Sequence, residues 1–253
     1  MKSCEEWSTE FDILFDNIMS HQAPGLTEYE KSVFLTRAEE AVVVGLYKGT
    51  LGDAFESTEE VTAYLGPLVA QSTITEETET DAEGNELPKV TSDSRIYKNP
   101  SDMLFRTLEF VTAITGCGSA QIPVVPTTQD EVHRTLANPF KGAGIRRALR
   151  LSYKLWEDQA EPDYVDIGDD DNDSSNEETE KVCNTYSEII CSYPVTSYTV
   201  RYIKRPEPII LENLSDGLTV NGESAAKTCK LDEALHQTIL VEAVKLAKSV
   251  WNA

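Results

Sequence analysis

The sequence has little of what catalytic and metal sites are usually built from. Its 253 residues include three histidines and five cysteines, with no Cys-x-x-Cys pair and no Gly-x-Ser-x-Gly elbow. Zinc sites need closely spaced cysteines or histidines, and hydrolases need a nucleophile beside a general base. We therefore predict a protein that is not an enzyme and has neither cofactor nor metal. The histidines are assigned to polar surface or capping positions: His21, His133 and His236.

Long apolar runs are also missing. No uninterrupted stretch is long enough to span a bilayer, and the opening residues MKSCEEWSTEFD carry acids where a signal peptide needs an apolar segment. The cysteines are odd in number and widely spaced, which argues against a disulfide framework. These features predict no membrane partner and folding in a reducing compartment, a cytosol.

Basic residues are scarce, with 22 against 44 acids and a formal charge of −22. Such a charge disfavours generic binding to nucleic acid or anionic membranes. The acids concentrate at 76–86 and 163–180, which hold six and nine acids and no base. Asp169, Asp171, Asp173 and Glu180 match EF-hand spacing, but Ser174 replaces the glycine of the turn. We interpret 163–180 as a self-repelling solvated loop, with weak cation binding left open.

Hydrophobic periodicity predicts an α+β fold, in which N-terminal helices and a C-terminal helix pack with a central antiparallel sheet. One domain, 1–253, is expected. Its predicted parts are helices over 1–70, a β-arm and strands over 71–127, a helix plus basic stretch over 128–160, an acidic flexible loop over 161–182, and a hairpin and helix over 183–253.

Local signals support these elements. Capping boxes begin at Ser3, Thr27 and Ser57, and the pair Asn221-Gly222 favours a tight turn. Segment 103–114 is ambiguous, because Leu104, Leu108 and Val111 fit a helix, but its β-branched and aromatic content favours a strand. Segments 185–193 and 196–205 are expected to pair as an antiparallel hairpin. A charged hairpin is expected around 83–86. Two apolar stripes are predicted, one of Trp7, Phe11, Leu14, Phe15, Ile18 and Met19 and one of Leu235, Ile239, Ala243, Leu246 and Val250.

One stretch stands out against the acidic background, because 141–154 carries five positive charges and no negative one. As a helix over 144–156 it would place Arg146, Arg150 and Lys154 on one face. Two interpretations stay open, since these cations could pair with internal carboxylates or dock an acidic neighbour. The predicted docking residues are Lys141, Arg146, Arg147, Arg150, Lys154, Lys204 and Arg205.

Four segments together resemble virion structural proteins of crAss-like bacteriophages of gut Bacteroidales. They are APGLTEYEKSVFLTRAEE (23–40), NPFKGAGIRRALRL (138–151), YTVRYIKRPEPIIL (198–211) and LHQTILVEAVKLAKSVW (235–251). The resemblance implies a ring-forming protein at the head–tail junction, stacked below the portal, with a dodecamer as the expected copy number. Its partners would be further copies, the portal protein and adjacent tail or ring proteins.

The implied role agrees with the absence of catalytic motifs. An acidic ring would repel phosphates and let duplex DNA slide through its channel without specific binding. Another tail or cargo structural protein is the nearest alternative. A phage-encoded hydrolase and an acidic DNA mimic are alternatives from other classes of protein. The sequence lacks the residue pattern that either would need.

Overall fold

The computed structural model describes residues 2–19, 25–51, 59–80, 84, 86–116, 118–158, 181–215 and 217–251. The helices are α1 (Cys4–Met19), α2 (Glu28–Lys48), α3 (Glu59–Leu65), α4 (Val132–Leu136) and α5 (Glu233–Trp251). The strands are β1 (Val69–Ile74), β2 (Arg95–Lys98), β3 (Met103–Thr115), β4 (Gly118–Pro126), β5 (Ala148–Asp158), β6 (Lys181–Ile190) and β7 (Val195–Lys204). The predicted α+β class is confirmed. None of the described helices is long and apolar enough to cross a membrane.

The chain forms two compact units, a helical unit of Met1–Val69 with Ile203–Ala253 and a sheet unit of Ala70–Tyr202. In the helical unit, α5 packs against α1 and α2. The predicted stripe of α1 is buried at Trp7, Phe11 and Phe15, which are at most 3% exposed. The α5 stripe is partly wrong, because Val250 is 64% exposed.

The capping signals of the first two helices are confirmed. Thr27 and Glu30 form a reciprocal box, in which the Thr27 N–H donates to the Glu30 carboxylate at 2.8 Å and the Glu30 N–H donates to the Thr27 hydroxyl at 3.3 Å. The same exchange links Ser3 and Glu6. The third predicted cap, Ser57, lies outside the described residues. Helix α2 ends at Gly49, whose φ of 71° is accessible to glycine at little cost.

We expect Thr27→Ala to lower the free energy of unfolding by about 1 kcal/mol, because one N-terminal N–H of α2 loses its acceptor. Thr27→Ser keeps the hydroxyl and should retain most of the stability. Urea unfolding of both variants measures the difference. Equal midpoints for the alanine and serine variants would contradict a capping role.

The sheet unit contains a seven-stranded mixed sheet in the order β1-β7-β3-β4-β5-β6-β2. Strands β3 and β4 are antiparallel, as are β5 and β6, whereas β4 and β5 run parallel. Buried side chains of β3, β4 and β7 supply its core, among them Val111, Ile122, Tyr198 and Val200. The predicted strand at 103–114 is thereby confirmed.

The predicted hairpin between 185–193 and 196–205 is wrong, although both strands exist. Strand β6 lies between β5 and β2, and β7 lies between β1 and β3. Alternation shows which faces of a strand are buried, but it does not select the neighbouring strand. The two strands therefore follow each other in sequence without being neighbours in the sheet.

Two predicted turns have different outcomes. Val220 and Glu223 exchange backbone hydrogen bonds across Asn221 and Gly222, which both have positive φ, so the tight turn is confirmed. For the hairpin predicted around 83–86, the structure shows one isolated antiparallel bridge between Thr80 and Glu86, outside regular strands. Most of the tip itself lies outside the described residues.

Candidate functional site

The cationic stretch consists of a loop and a strand. We define the cationic loop as residues 138–147, and β5 follows from Ala148. The helix predicted over 144–156 is wrong. Residues four positions apart share one face of a helix, whose period is about 3.6 residues. They also share one face of a strand, because side chains of a strand alternate between its two faces. Pairing of β5 with β4 on one side and β6 on the other decides the outcome.

Arg150, a predicted docking residue, is used inside its own chain. Its Nε lies 2.9 Å from Oε2 of Glu109, and both side chains are about nine-tenths buried. The Tyr198 hydroxyl donates to the same carboxylate oxygen at 2.6 Å, and burial raises the pKa of that phenol. The docking prediction for Arg150 is corrected accordingly, since the ion pair joins β3 to β5 in the interior of the sheet unit.

A second guanidinium, that of Arg106, lies beside this ion pair. It donates to the hydroxyls of Ser187 at 3.0 Å and Ser152 at 3.3 Å. Burial and the nearby charge of Arg150 lower the pKa of Arg106. Ser187 in turn donates to Asn99 at 2.8 Å. Hydroxyl groups thus allow two like charges to share one half-buried region around Glu109.

The backbone of the cationic loop is fixed at its first half by Asn138. The Asn138 side-chain oxygen accepts from the N–H of Phe140 at 2.9 Å and of Lys141 at 3.3 Å. Its carbonyl accepts from the Gly142 N–H at 2.8 Å. A Cβ at Gly142 would lie 3.1 Å from that carbonyl oxygen, so glycine permits the close turn.

The second half of the loop is closed by its own hydrogen bonds. The Gly144 N–H donates to the Arg147 carbonyl at 2.7 Å, and the Arg147 N–H donates back at 3.3 Å. The Ser192 hydroxyl donates to the Ala143 carbonyl at 2.9 Å, which joins the loop to the segment after β6. Ala143 also packs against the apolar cluster of Val132 and Leu149. The loop is therefore held in one conformation before any partner binds.

This fixed loop presents apolar and cationic side chains to solvent. Phe140 is 91% exposed and Ile145 is 58% exposed. Lys141 and Arg146 are exposed, whereas Arg147 is half-buried and donates to the Lys141 carbonyl at 3.3 Å. An aromatic residue and a basic residue on a rigid support are typical of protein–protein hot spots. Phe140 was not predicted, although its position between Asn-Pro and Lys-Gly placed it in a turn.

The other predicted docking cations lie apart from this loop. Lys154 is exposed on β5, and Lys204 is half-buried at the end of β7. Arg205 is 59% exposed, with its Nε 3.6 Å from Glu40. At this exposure the ion pair contributes little to stability.

The histidine assignments have three outcomes. His133 is exposed, as predicted, and His21 lies outside the described residues. His236 is 2% exposed, so its assignment to the surface is wrong. Its Nε2 is 3.2 Å from the Leu231 carbonyl, its ring centroid is 5.0 Å from that of Trp7, and burial lowers its pKa. It is a core residue of α5.

Sequence reasoning missed a buried carboxyl group, that of Glu39 on α2. Glu39 is 1% exposed, and the Cys229 thiol donates to its Oε1 at 3.0 Å. Burial, with smaller contributions from Glu40 and Glu207, raises the pKa of Glu39 to about 7. The signal was its spacing from Leu35 and Val42, which places it on the apolar face of α2.

No group of histidine, cysteine and acidic side chains in the described ranges is arranged to hold a metal ion. The EF-hand-like positions, Asp169 to Glu180, fall outside those ranges.

Comparison with known proteins gives a consistent result over the whole chain. A family model described as phage tail ring protein 3/4 matches residues 1–252. The chain is 34% identical to "Ring protein 3" of Bacteroides phage crAss001 over 250 residues, covering 96% of this chain and 94% of that protein. It is 32% identical to "Ring protein 4/5" of the same phage over 260 residues, with 98% and 92% coverage. The family and both relatives are named as ring proteins and not as enzymes, which confirms the prediction that the chain is not an enzyme.

Proposed function

The chain belongs to the phage tail ring protein 3/4 family and is a virion structural ring protein; on this premise we propose that its copies close a ring at the head–tail connector, between the portal and the tail. Such a ring needs two different complementary surfaces on each copy, because a head-to-tail contact is heterologous. The proposed ring is a dodecamer. Its proposed neighbours are the portal protein and adjacent ring or tail proteins.

The cationic loop is the observation that carries this proposal. It holds exposed Phe140 and Arg146 on a hydrogen-bonded backbone, in a chain whose net charge is −22. Burial of the exposed Phe140 ring against a partner would remove apolar surface from water, which is favourable. An acidic neighbour would bury the aromatic ring and offer carboxylates, which a planar guanidinium can bind through two hydrogen bonds.

In this proposal, the remaining predicted docking cations take part in contacts between stacked rings. Lys154, Lys204 and Arg205 lie outside the cationic loop, so they could meet a different neighbour. Lys154 and Arg205 are exposed and Lys204 is half-buried, and rim charges of this kind set partner choice and association rate more than affinity. Arg150 is excluded from the proposed surface because Glu109 already holds it.

The proposed channel is acidic. Each subunit contributes a net charge of −22, and repetition around a ring multiplies this charge. Repulsion of phosphates would let the genome pass without binding to the wall. Assembly would take place in the host cytoplasm and end in the virion.

The purified protein is expected to form closed rings that open as salt concentration rises, because the proposed contact pairs charges of opposite sign. Native mass spectrometry and sedimentation between about 0.1 M and about 1 M salt measure this, since the Debye length falls from about 10 Å to about 3 Å. Electron microscopy of the virion neck would then locate the ring. Monomers at every salt concentration, or a ring found elsewhere in the virion, would contradict the corresponding part of the proposal.

A further inference from the structure

Two features of the described surface have opposite charge and similar apolar content. The first is the cationic loop, with Phe140 and Ile145 exposed beside its cations. The second is the outer face of α1, which we define as the exposed residues Glu5, Glu6, Thr9, Ile13 and Asp16. We propose that the cationic loop of one copy binds the outer face of α1 on the next copy, an inference that rests on the proposed ring.

The outer face of α1 follows from helix geometry. Trp7, Phe11 and Phe15 recur every four residues and are buried, so the residues on the opposite side of the helix face solvent. Ile13 lies among them and is 54% exposed, which leaves a branched apolar side chain in water. Burying such a side chain in a contact is favourable by about 25 cal/mol for each Å².

In the part of the chain that the structure describes, no cation pairs with Glu5, Glu6 or Asp16, although the Glu6 carboxylate accepts from the Ser3 N–H in the capping box. Glu10 pairs with Lys2, and Asp12 lies 2.7 Å from Lys31. The outer face, by contrast, carries three carboxylates and no cation. These three carboxylates make α1 a matching partner for a surface that presents Lys141 and Arg146.

The outer face of α1 extends over about three turns of the helix. From Glu5 to Asp16 the helix rises about 16 Å, at about 1.5 Å for each residue. Ile13 lies between acidic residues along this length, and the loop likewise presents apolar side chains among cations. An apolar centre with charges around it is the usual arrangement of a specific protein contact.

The proposal determines the type of assembly. The loop and the outer face are different patches, so each copy can use both at once with different neighbours. The contact is therefore heterologous and can propagate around a ring. It also explains why the loop backbone is fixed in advance, since a preorganised loop loses little conformational entropy on binding.

A charge exchange tests the pairing. Variant L carries Lys141→Glu and Arg146→Glu, and variant F carries Glu5→Lys and Asp16→Lys. Each alone should form folded monomers, because like charges meet at every contact. Their equimolar mixture, and a chain carrying all four changes, should form rings again. Native mass spectrometry counts the copies, and circular dichroism confirms folding.

Phe140→Ala tests the apolar part without altering charge, and we expect it to weaken ring closure on the order of 30-fold. Lys245→Glu is the matched control for the charge reversals of variants L and F. Its side chain is 65% exposed on α5, outside both proposed surfaces, so its rings should persist.

The outcomes separate the two proposals. Wild-type protein that never forms rings overturns the proposed function. Wild-type rings that survive in variants L and F overturn this inference alone. Rings lost in one variant alone, or rings lost in both variants and not restored in the mixture or the fourfold chain, also overturn it, because the charges of the two surfaces then do not compensate each other. Loss of duplex binding in variant L, with rings intact, would assign the loop to DNA.

Discussion

Replacing Arg150 by alanine is expected to lower the free energy of unfolding of the sheet unit by about 3 to 5 kcal/mol. The substitution leaves the Glu109 carboxylate nine-tenths buried without the guanidinium that lies 2.9 Å from it. It also removes the ion pair that joins β3 to β5. Urea unfolding measures the loss, and hydrogen exchange of peptides from β3 and β5 shows whether it is confined to the sheet unit.

Lys154→Ala is the matched control, because Lys154 lies on the same strand and is exposed. It should change stability by no more than about 0.5 kcal/mol. The double substitution Arg150→Met with Glu109→Leu removes both charges, and it should recover much of the lost stability. If Arg150→Ala were as stable as Lys154→Ala, the internal role of Arg150 would be wrong.

The stability of the helical unit is expected to fall as pH rises from about 4.5 to above 7, because of Glu39. Its pKa is about 7 in the folded protein against an ordinary 4.5. Between these values the folded state keeps a proton that the unfolded state has released, so a rise in pH favours unfolding. The shift corresponds to about 3 kcal/mol, fully present below pH 4.5 and lost as the pH passes through 7.

Glu39→Gln should remove this dependence, since an amide has a similar shape and carries no charge. Other carboxyl groups titrate in both proteins, so the informative quantity is the difference between their stabilities. The stability of the variant relative to the wild type should increase between pH 5 and pH 8. Thermal unfolding and hydrogen exchange of α2 measure this difference. A difference that stays constant with pH would show that Glu39 does not titrate in this range.

Features governed by neighbouring residues were predictable from the sequence. The capping boxes at Ser3 and Thr27 need only groups three residues apart, and the turn at Asn221-Gly222 needs only their own backbone preferences. The buried stripe of α1 follows from its 3.6-residue period. The family resemblance was also readable, because four ordered segments span nearly the whole chain.

Features governed by distant partners were not predictable. The alternation around Arg150 fits a helix face or a strand face until β4 and β6 are known to flank it. The role of Arg150 depends on Glu109, 41 positions earlier in the chain. His236 looks polar in isolation, and only the packing of α5 against α1 shows that it is buried.

The parallel pairing of β4 and β5 has a mechanical consequence for the cationic loop. The loop and α4 form the crossover between these two strands, which are hydrogen-bonded from Val124 and Ala148 onward in the interior of the sheet. Tension applied to the crossover would therefore pull on both strands at once and load their hydrogen bonds together. A contact made by the cationic loop would therefore transmit force to two interior strands of the sheet unit, and it would not load an edge strand alone.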